Sequence, residues 1–276
     1  MRLPVRLTNV QQTLLLTLYL RALESRSTTP VLGDPMAERL VACLDYDFTR
    51  FDSKRGDPLV ALRALSMDRQ VARFCARHPD AVVVHLACGL DSRAWRVDPP
   101  ATVQWYDVDY PEVVELRRAL YPERPGYRSV AADVTEPDWL EGLPGDRPTM
   151  VVAEGLVMYL PDAEVERLVT RVVGHFHEGE VMFDVFSRVG ATVMRCQPSF
   201  RATGATIRSV LPDRRVVERW SPRLRFIAER PVLGEPEVVS LPRKTRVFYT
   251  VLRSIPALRG SLRTLHYAFS DDNTHS

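Results

Sequence analysis

A chain of 276 residues with 45% hydrophobic side chains has enough apolar surface for one large α/β domain, with or without a cap, and too much for wholesale disorder. Its 37 basic residues stand against 35 acidic ones for a net charge of +2, and the arginines are spread among acids rather than gathered in a block, so no nucleic-acid partner is expected. No apolar run approaches the roughly 20 residues of a membrane span, so no membrane partner is expected either.

From about residue 8 to 78 the pattern is helical. Leu14, Leu15, Leu18 and Ala22 recur at helical spacing. The apolar run Leu14–Leu20 is followed by Arg21, Glu24 and Arg26 and has no cleavage-site pattern, so it reads as a buried helix of a cytoplasmic protein. Pro30 and Gly33 interrupt the pattern. Asp34-Pro35 then starts a second helix, with Asp34 as the cap and Pro35 in the first turn, and Asp57-Pro58 repeats that signal before Leu59, Leu62, Leu65 and Met67.

At residue 81 the period changes. Strands are predicted at 81–86, 103–108, 127–131, 150–153 and 180–186, with helices opening at Tyr110-Pro111 and Pro161-Asp162. This alternation implies a doubly wound parallel sheet. Residues 188–220 read as a polar, arginine-rich cap. Leu224–Ala228 and Arg246–Leu252 are the expected last strands, closing the sheet as an antiparallel hairpin, and the tail beyond Phe269 is expected to fray. Cys43, Cys75, Cys88 and Cys196 form no C-x-x-C pair and are expected to be reduced.

The first strand, Val82-Val83-Val84-His85-Leu86, runs into Ala87-Cys88-Gly89-Leu90-Asp91, and the second ends in Tyr106-Asp107-Val108-Asp109. A glycine after one strand and an acid after the next are the parts that bind the adenosine end of a cofactor. A dinucleotide would want G-x-G-x-x-G, of which one glycine remains, and Asp91 stands where a pyrophosphate would be repelled. S-adenosylmethionine carries no phosphate. Gly89 can allow its close approach, Asp109 or Asp107 can take its ribose hydroxyls, Asp133 can accept from its adenine amine, and Glu154 lies at the ligand-binding edge of the sheet. Asp98-Pro99-Pro100 precedes the second strand and ends in Ala101, so it reads as a loop and not as an amino-methylation motif.

Five segments in order then resemble the leucine carboxyl methyltransferase family, in its bacterial, tetracenomycin-type polyketide O-methyltransferase branch. They are Leu18–Ser25, Leu32–Ala37, Leu86–Arg93, Tyr106–Val113 and Ala153–Leu160, and the resemblance spans roughly residues 10–187. It implies a class I methyltransferase fold: a Rossmann-like, doubly wound, mostly parallel seven-stranded sheet. An N-terminal helical lid would occupy residues 1–78 and the core 79–276, with a cap at about 188–220 after the fifth strand. It also implies that Arg63 holds the cofactor's carboxylate and that Gly89, Asp109, Asp133, Val134 and Glu154 make further cofactor contacts. Arg21 aligns loosely with a basic lid residue. Ala87 departs from the family, which usually has glycine there.

The expected reaction is methyl transfer from S-adenosylmethionine, leaving S-adenosylhomocysteine, to a small secondary metabolite such as a polyketide or peptide product. A carboxylate acceptor is ionised at neutral pH and needs no general base, which favours a carboxyl over a phenol. A carbon or nitrogen acceptor and a non-catalytic relative of the same fold are the alternatives, and a nicotinamide oxidoreductase is disfavoured. Tyr159 is expected either to orient the acceptor or to pack beneath the sheet edge. One of Arg195, Arg201 and Arg208 would hold an anionic acceptor, against a solvated cap for each. His175 and His177 read as favourable residues at a helix C-terminus. His85 reads as a core histidine, Cys88 as a small buried filler and Asp91 as a helix cap. No metal is expected, and the protein is expected to be a monomer or homodimer.

Overall fold

The computed structural model describes residues 2–5, 7, 11–51, 57–211 and 213–271. The expected start of the first helix near residue 8 and the connection at 52–56 lie outside the described residues. Helix α1 is Gln12–Ser25 and α2 is Pro35–Cys43. The Asp34 carboxylate caps α2 by accepting from the Ala37 N–H at 3.1 Å. Helix α3, Pro58–Arg77, is capped in the same way by Asp57, which accepts from the Leu59 N–H at 2.9 Å. Both Asp-Pro signals therefore mark real helix starts.

Strand β1 (Val82–Leu86) leads into the short helix α4 (Arg93–Val97), then β2 (Gln104–Asp109), α5 (Pro111–Leu120), β3 (Tyr127–Ala131) and β4 (Thr149–Ala153). Helix α6 (Asp162–His175) precedes β5 (Glu178–Phe186). Three short helices follow, α7 (Arg188–Cys196), α8 (Pro198–Arg201) and α9 (Arg215–Glu218). The chain ends in β6 (Leu224–Pro231), α10 (Arg243–Ser254), α11 (Pro256–Arg259) and β7 (Leu262–Ser270).

These seven strands form one sheet in the order β3-β2-β1-β4-β5-β7-β6, and Leu3–Pro4 pairs separately with Leu44–Asp45. β1 to β5 are parallel, and β7 runs antiparallel to both neighbours. β1 and β4 are buried at every residue, which is why they read as continuous apolar runs. Met67, Val71 and Phe74 of α3 pack on one face against Val83, Met150 and Val152. Val165, Val169 and Val172 of α6 pack on the other against Val82, Val84 and Val151. Strand order reverses between β1 and β4, so their carboxyl ends open a crevice.

The expected strand at 246–252 is instead the middle of α10, and the sheet is closed by Leu262–Ser270. The β-branched and aromatic run misleads because it sits outside the sheet, with only Tyr249 of α10 buried. The true last strand reads as polar because Arg263, Thr264 and His266 lie buried within it. Its end is not frayed at once: Ser270 is still in the strand and the Asp271 N–H donates to the His177 carbonyl at 2.9 Å. Residues 272–276 lie outside the described residues. No helix among the described residues is long and apolar enough to cross a membrane.

Candidate active site

The loop after β1 has two residues in left-handed backbone, Ala87 at φ 47° and Gly89 at φ 52°. The Gly89 N–H donates to Asp109 Oδ2 at 2.7 Å, and its carbonyl accepts from Arg117 Nη1 at 2.7 Å. A Cβ added at Gly89 would stand 2.9 Å from Leu14 Cβ, so glycine lets α1 rest on the loop. Asp109 Oδ1 accepts from the Tyr110 N–H at 2.8 Å, and burial pushes this carboxyl above its ordinary value. Asp107 is a different kind of acid. Its oxygens accept from Trp105 Nε1 at 2.7 Å, the Tyr127 hydroxyl at 2.7 Å and Arg117 Nη2. Burial opposes its ionisation, but Arg117, His85 and Trp105 together outweigh that and hold the carboxyl below its ordinary value. Asp109 lines the cleft, whereas Asp107 is a structural ion-pair partner behind it.

The cleft has two compartments. The outer one, about 540 Å³, is lined by Asp109, Tyr110, Asp133, Val134 and Leu156. The inner one, about 130 Å³, is lined by Arg21, Arg63, Asp91, Glu154, Met158, Phe186 and Phe200. Thr13, Leu14, Ala87, Gly89, Gly155 and Tyr159 border both. The sheet edge thus forms the floor and α1 part of the wall.

The inner compartment is built on paired charges. Arg63, on α3, donates from Nε to Glu154 Oε1 at 2.9 Å and from Nη1 to Asp184 Oδ2 at 2.8 Å. Asp184 Oδ1 accepts from the Gly155 N–H at 2.7 Å. Arg93 bonds the second oxygen of Glu154 and donates to Asp68 Oδ1 at 2.7 Å. Arg96 donates to Asp91 Oδ1 at 2.6 Å and to Asp68 Oδ2 at 2.8 Å. Arg21 of α1 donates to the Leu90 carbonyl at 2.9 Å, with Nε 3.4 Å from Asp34. Burial alone would push Glu154 up, but Arg63 and Arg93 hold its carboxyl below the ordinary value. Arg96, Arg21 and Arg93 likewise overcome burial at Asp91 and hold it well down. At Asp184 burial prevails and pushes the carboxyl up. Such a network is tolerable only because each charge is paired, and removing one partner of a buried pair costs about 3–5 kcal/mol.

The sequence-predicted residues are thus brought together, with differences of detail. Asp133 and Val134 face the outer compartment, where Asp133 Oδ1 accepts from the Thr135 N–H at 2.9 Å and its hydroxyl at 2.8 Å. Tyr159 is hydrogen-bonded to Thr13 and stacks near Phe200, with ring centroids 6.5 Å apart; burial pushes its hydroxyl up to about 12. Arg208 lines the outer rim, while Arg195 and Arg201 line neither compartment. Asp91 is not the cap of α4. The position before that helix belongs to Ser92, and Asp91 is drawn into ion pairs with Arg96 and Arg93. His85 is buried, with Nε2 2.9 Å from Arg93 Nη1 and Nδ1 3.4 Å from Asp107. His175 meets the Leu143 carbonyl at 3.0 Å at the end of α6, and His177 pairs with Asp271 at 2.9 Å. Cys88 is buried, which pushes its thiol well up. Asp98 pairs with Arg124 in a loop at 2.8 Å.

Sequence reasoning missed Asp184, Arg93, Asp68 and Arg96 as parts of this site. Arg93 stood in plain view in Leu-Asp-Ser-Arg, but nothing in a linear pattern says that it reaches Glu154 across two strand ends. Asp184 had a clearer signal, as an acid within the apolar fifth strand, where an ionisable group needs a partner.

The donor set fits S-adenosylmethionine. Arg63 keeps Nη2 beyond its two ion pairs, 3.8 Å from where a Cβ on Gly155 would stand, and Gly155 has φ 68°. Glycines at 89 and 155 therefore leave room where the two compartments meet.

The leucine carboxyl methyltransferase family model matches residues 15–173. The chain is 46% identical over 266 residues to the tetracenomycin polyketide synthesis O-methyltransferase of Streptomyces glaucescens, covering 96% of this chain and 98% of that one. It is 34% identical over 244 residues to an S-adenosyl-L-methionine-dependent methyltransferase of Gibberella zeae, covering 80% and 82%. Its fold resembles that of a DUF574-family protein of Streptomyces avermitilis, with a TM-score of 0.56 at 17% identity over 91% and 97% of the two chains. An O-methyltransferase family protein of Burkholderia thailandensis gives a TM-score of 0.52 at 12% identity over 82% and 63%.

Proposed function

The chain belongs to the leucine carboxyl methyltransferase family of S-adenosylmethionine-dependent enzymes, and on that premise we propose that it methylates a carboxylate oxygen of a small secondary metabolite, such as a polyketide or peptide product. Bound S-adenosylmethionine supplies an electrophilic methyl group on a sulfonium, open to in-line displacement. The protein's task is to hold both reactants in line and to keep water out.

The residue roles follow from the two compartments. Asp109 takes the ribose hydroxyls with the lone pairs left after its two backbone bonds. Asp133 accepts from the adenine amine, with Val134 against the ring. Arg63 holds the cofactor's carboxylate through Nη2, and Glu154 fixes the Arg63 guanidinium while keeping a lone pair on each oxygen. Gly89 and Ala87 bring backbone close to the cofactor. Arg21 ties α1 to the loop, so that the N-terminal helices act as a lid. Tyr159 and Phe200 form a flat wall for the acceptor, and Tyr159 orients it.

One observation carries the choice of acceptor. Glu154 and Asp91 are each engaged by guanidinium groups and held low, His85 Nε2 lies against Arg93, and Tyr159 stays protonated. None of these groups is placed to remove a proton from an alcohol, and Asp57, the other acid lining the inner compartment, is committed through Oδ1 to the cap of α3 and to the Tyr249 hydroxyl. A carboxylate needs no such group. The test uses deuteromethyl-labelled cofactor with matched aromatic carboxylic acids and phenols. The proposal expects a labelled product that mild alkali returns to the acid. An alkali-stable product made from the phenols alone would overturn it.

A further inference from the structure

The interleaving of acids and arginines stops at Glu237. From residue 238 to 270 the chain has no acid, yet α10 and α11 carry Arg243, Lys244, Arg246, Arg253 and Arg259. None of these five is in an ion pair among the described residues. Helix α10 is anchored inward by Tyr249, buried beside Leu241 and Phe200, with its hydroxyl 3.4 Å from Asp57. Its opposite face has no partner among the described residues. Val247 is 57% exposed, Phe248 57%, Val251 55% and Ile255 44%. The spacing puts them in one stripe, and Lys244 falls in it too, three and four residues before Val247 and Phe248.

We propose that α10 and α11 form a peripheral docking surface for anionic lipid headgroups. The four apolar side chains enter the interfacial region, and Arg243 and Lys244, beside and within the stripe, meet the phosphates; Arg246, bonded to the Val239 carbonyl at 3.0 Å, and Arg253 lie on the opposite side of α10. A second copy of the chain is a poor occupant, because a symmetric contact would set Arg243 and Lys244 of each copy against those of the other with no acid on α10 or α11 to pair them. A lysine inside an apolar stripe also favours lipid over a rigid acidic protein. Its stem can lie along apolar chains while the ammonium reaches up to phosphate, whereas a protein groove would need an acid set among apolar residues. The sequence-based expectation of no membrane partner rested on the absence of a spanning segment, which does not bear on surface binding.

The test is co-sedimentation of the full chain with vesicles of roughly 30 mol % phosphatidylglycerol in phosphatidylcholine, against phosphatidylcholine alone. Binding is expected only with the anionic vesicles and is expected to weaken about tenfold or more in roughly 0.5 M salt. The exposed double variant Val247→Asp/Phe248→Asp should lose binding by at least about tenfold while its S-adenosylhomocysteine affinity stays unchanged, which shows that it has folded. Equal binding to both vesicle types, binding retained by the variant, or self-association abolished by the variant would overturn the proposal. So would capture by soluble polyglutamate without vesicle binding, which would point to an acidic protein.

Discussion

Arg63→Lys separates the cofactor-holding role proposed for this side chain from its structural one. Arg63 spends Nε and Nη1 on Glu154 and Asp184, at 2.9 and 2.8 Å, and has Nη2 left for the cofactor's carboxylate. Lysine keeps the positive charge, so the two buried carboxylates are not abandoned and the ~3–5 kcal/mol cost of an uncompensated buried charge is avoided. It loses the fork, and with it at least one hydrogen bond between charged groups, worth about 1.5–3 kcal/mol. An ammonium held by Glu154 and Asp184 cannot also reach a third carboxylate in the same plane. S-adenosylhomocysteine affinity should therefore fall about 10- to 150-fold, measured by calorimetric titration beside thermal denaturation of both proteins. A variant that melts earlier but binds within about threefold of the wild type would refute the reasoning, because Arg63 would then be a purely structural ion-pair partner.

Three other perturbations bear on neighbouring parts of the site. Ala87→Gly relieves left-handed strain of about 1–2 kcal/mol and adds unfolded-state entropy worth about 0.4–1, so thermal denaturation should show a net gain of about 0.5–1 kcal/mol; a lower melting temperature would show that the methyl packs usefully. Gly89→Ala combines φ 52° with a 2.9 Å approach to Leu14 Cβ, so it should destabilise by about 1–2 kcal/mol or more and weaken cofactor binding at least about tenfold; unchanged titration and melting curves would refute that. Two pH dependences follow. The depressed Glu154 carboxyl contributes stability that is present above its ordinary value of about 4.3 and is lost as pH falls through the folded value. Glu154→Gln should accordingly flatten the acid limb of the urea midpoint against pH, and an unchanged limb would contradict it. Because the Tyr159 hydroxyl is pushed up to about 12, kcat on a carboxylate acceptor should be flat over roughly pH 7–9; a rate rising tenfold per pH unit there would require a proton to be lost.

The sheet and the outer compartment were legible in the sequence for one physical reason. Central parallel strands are buried on both faces, so β1 and β4 stand out as apolar runs, and the residues proposed to bind the cofactor sit at strand ends, Gly89 and Glu154 after β1 and β4, Asp109 and Asp133 at the ends of β2 and β3. Period and capping also located α3, but only the family resemblance singled out Arg63 on it. The last strand was not legible because it is antiparallel and carries Arg263, Thr264 and His266 inward, while the aromatic run before it lies on a surface helix. The ion network was illegible for a related reason. Arg93, Asp68, Glu154 and Asp184 come from four separate elements and acquire meaning only once the fold brings them within hydrogen-bonding distance. Asp91, a plausible cap by position, was claimed instead by Arg96 because a buried acid gains more from a guanidinium than from a helix end.

The division of the cleft into an adenosine compartment held by Asp109 and a methionine compartment held by Arg63 is tested most directly by titrating the wild type, Asp109→Asn and Arg63→Lys with both S-adenosylhomocysteine and adenosine. Asp109→Asn should weaken both ligands by a similar factor, at least about tenfold, because both carry the ribose. Arg63→Lys should weaken S-adenosylhomocysteine alone, because adenosine has no carboxylate. Adenosine binding that ignores Asp109, or that falls with Arg63, would contradict the assignment of the two compartments.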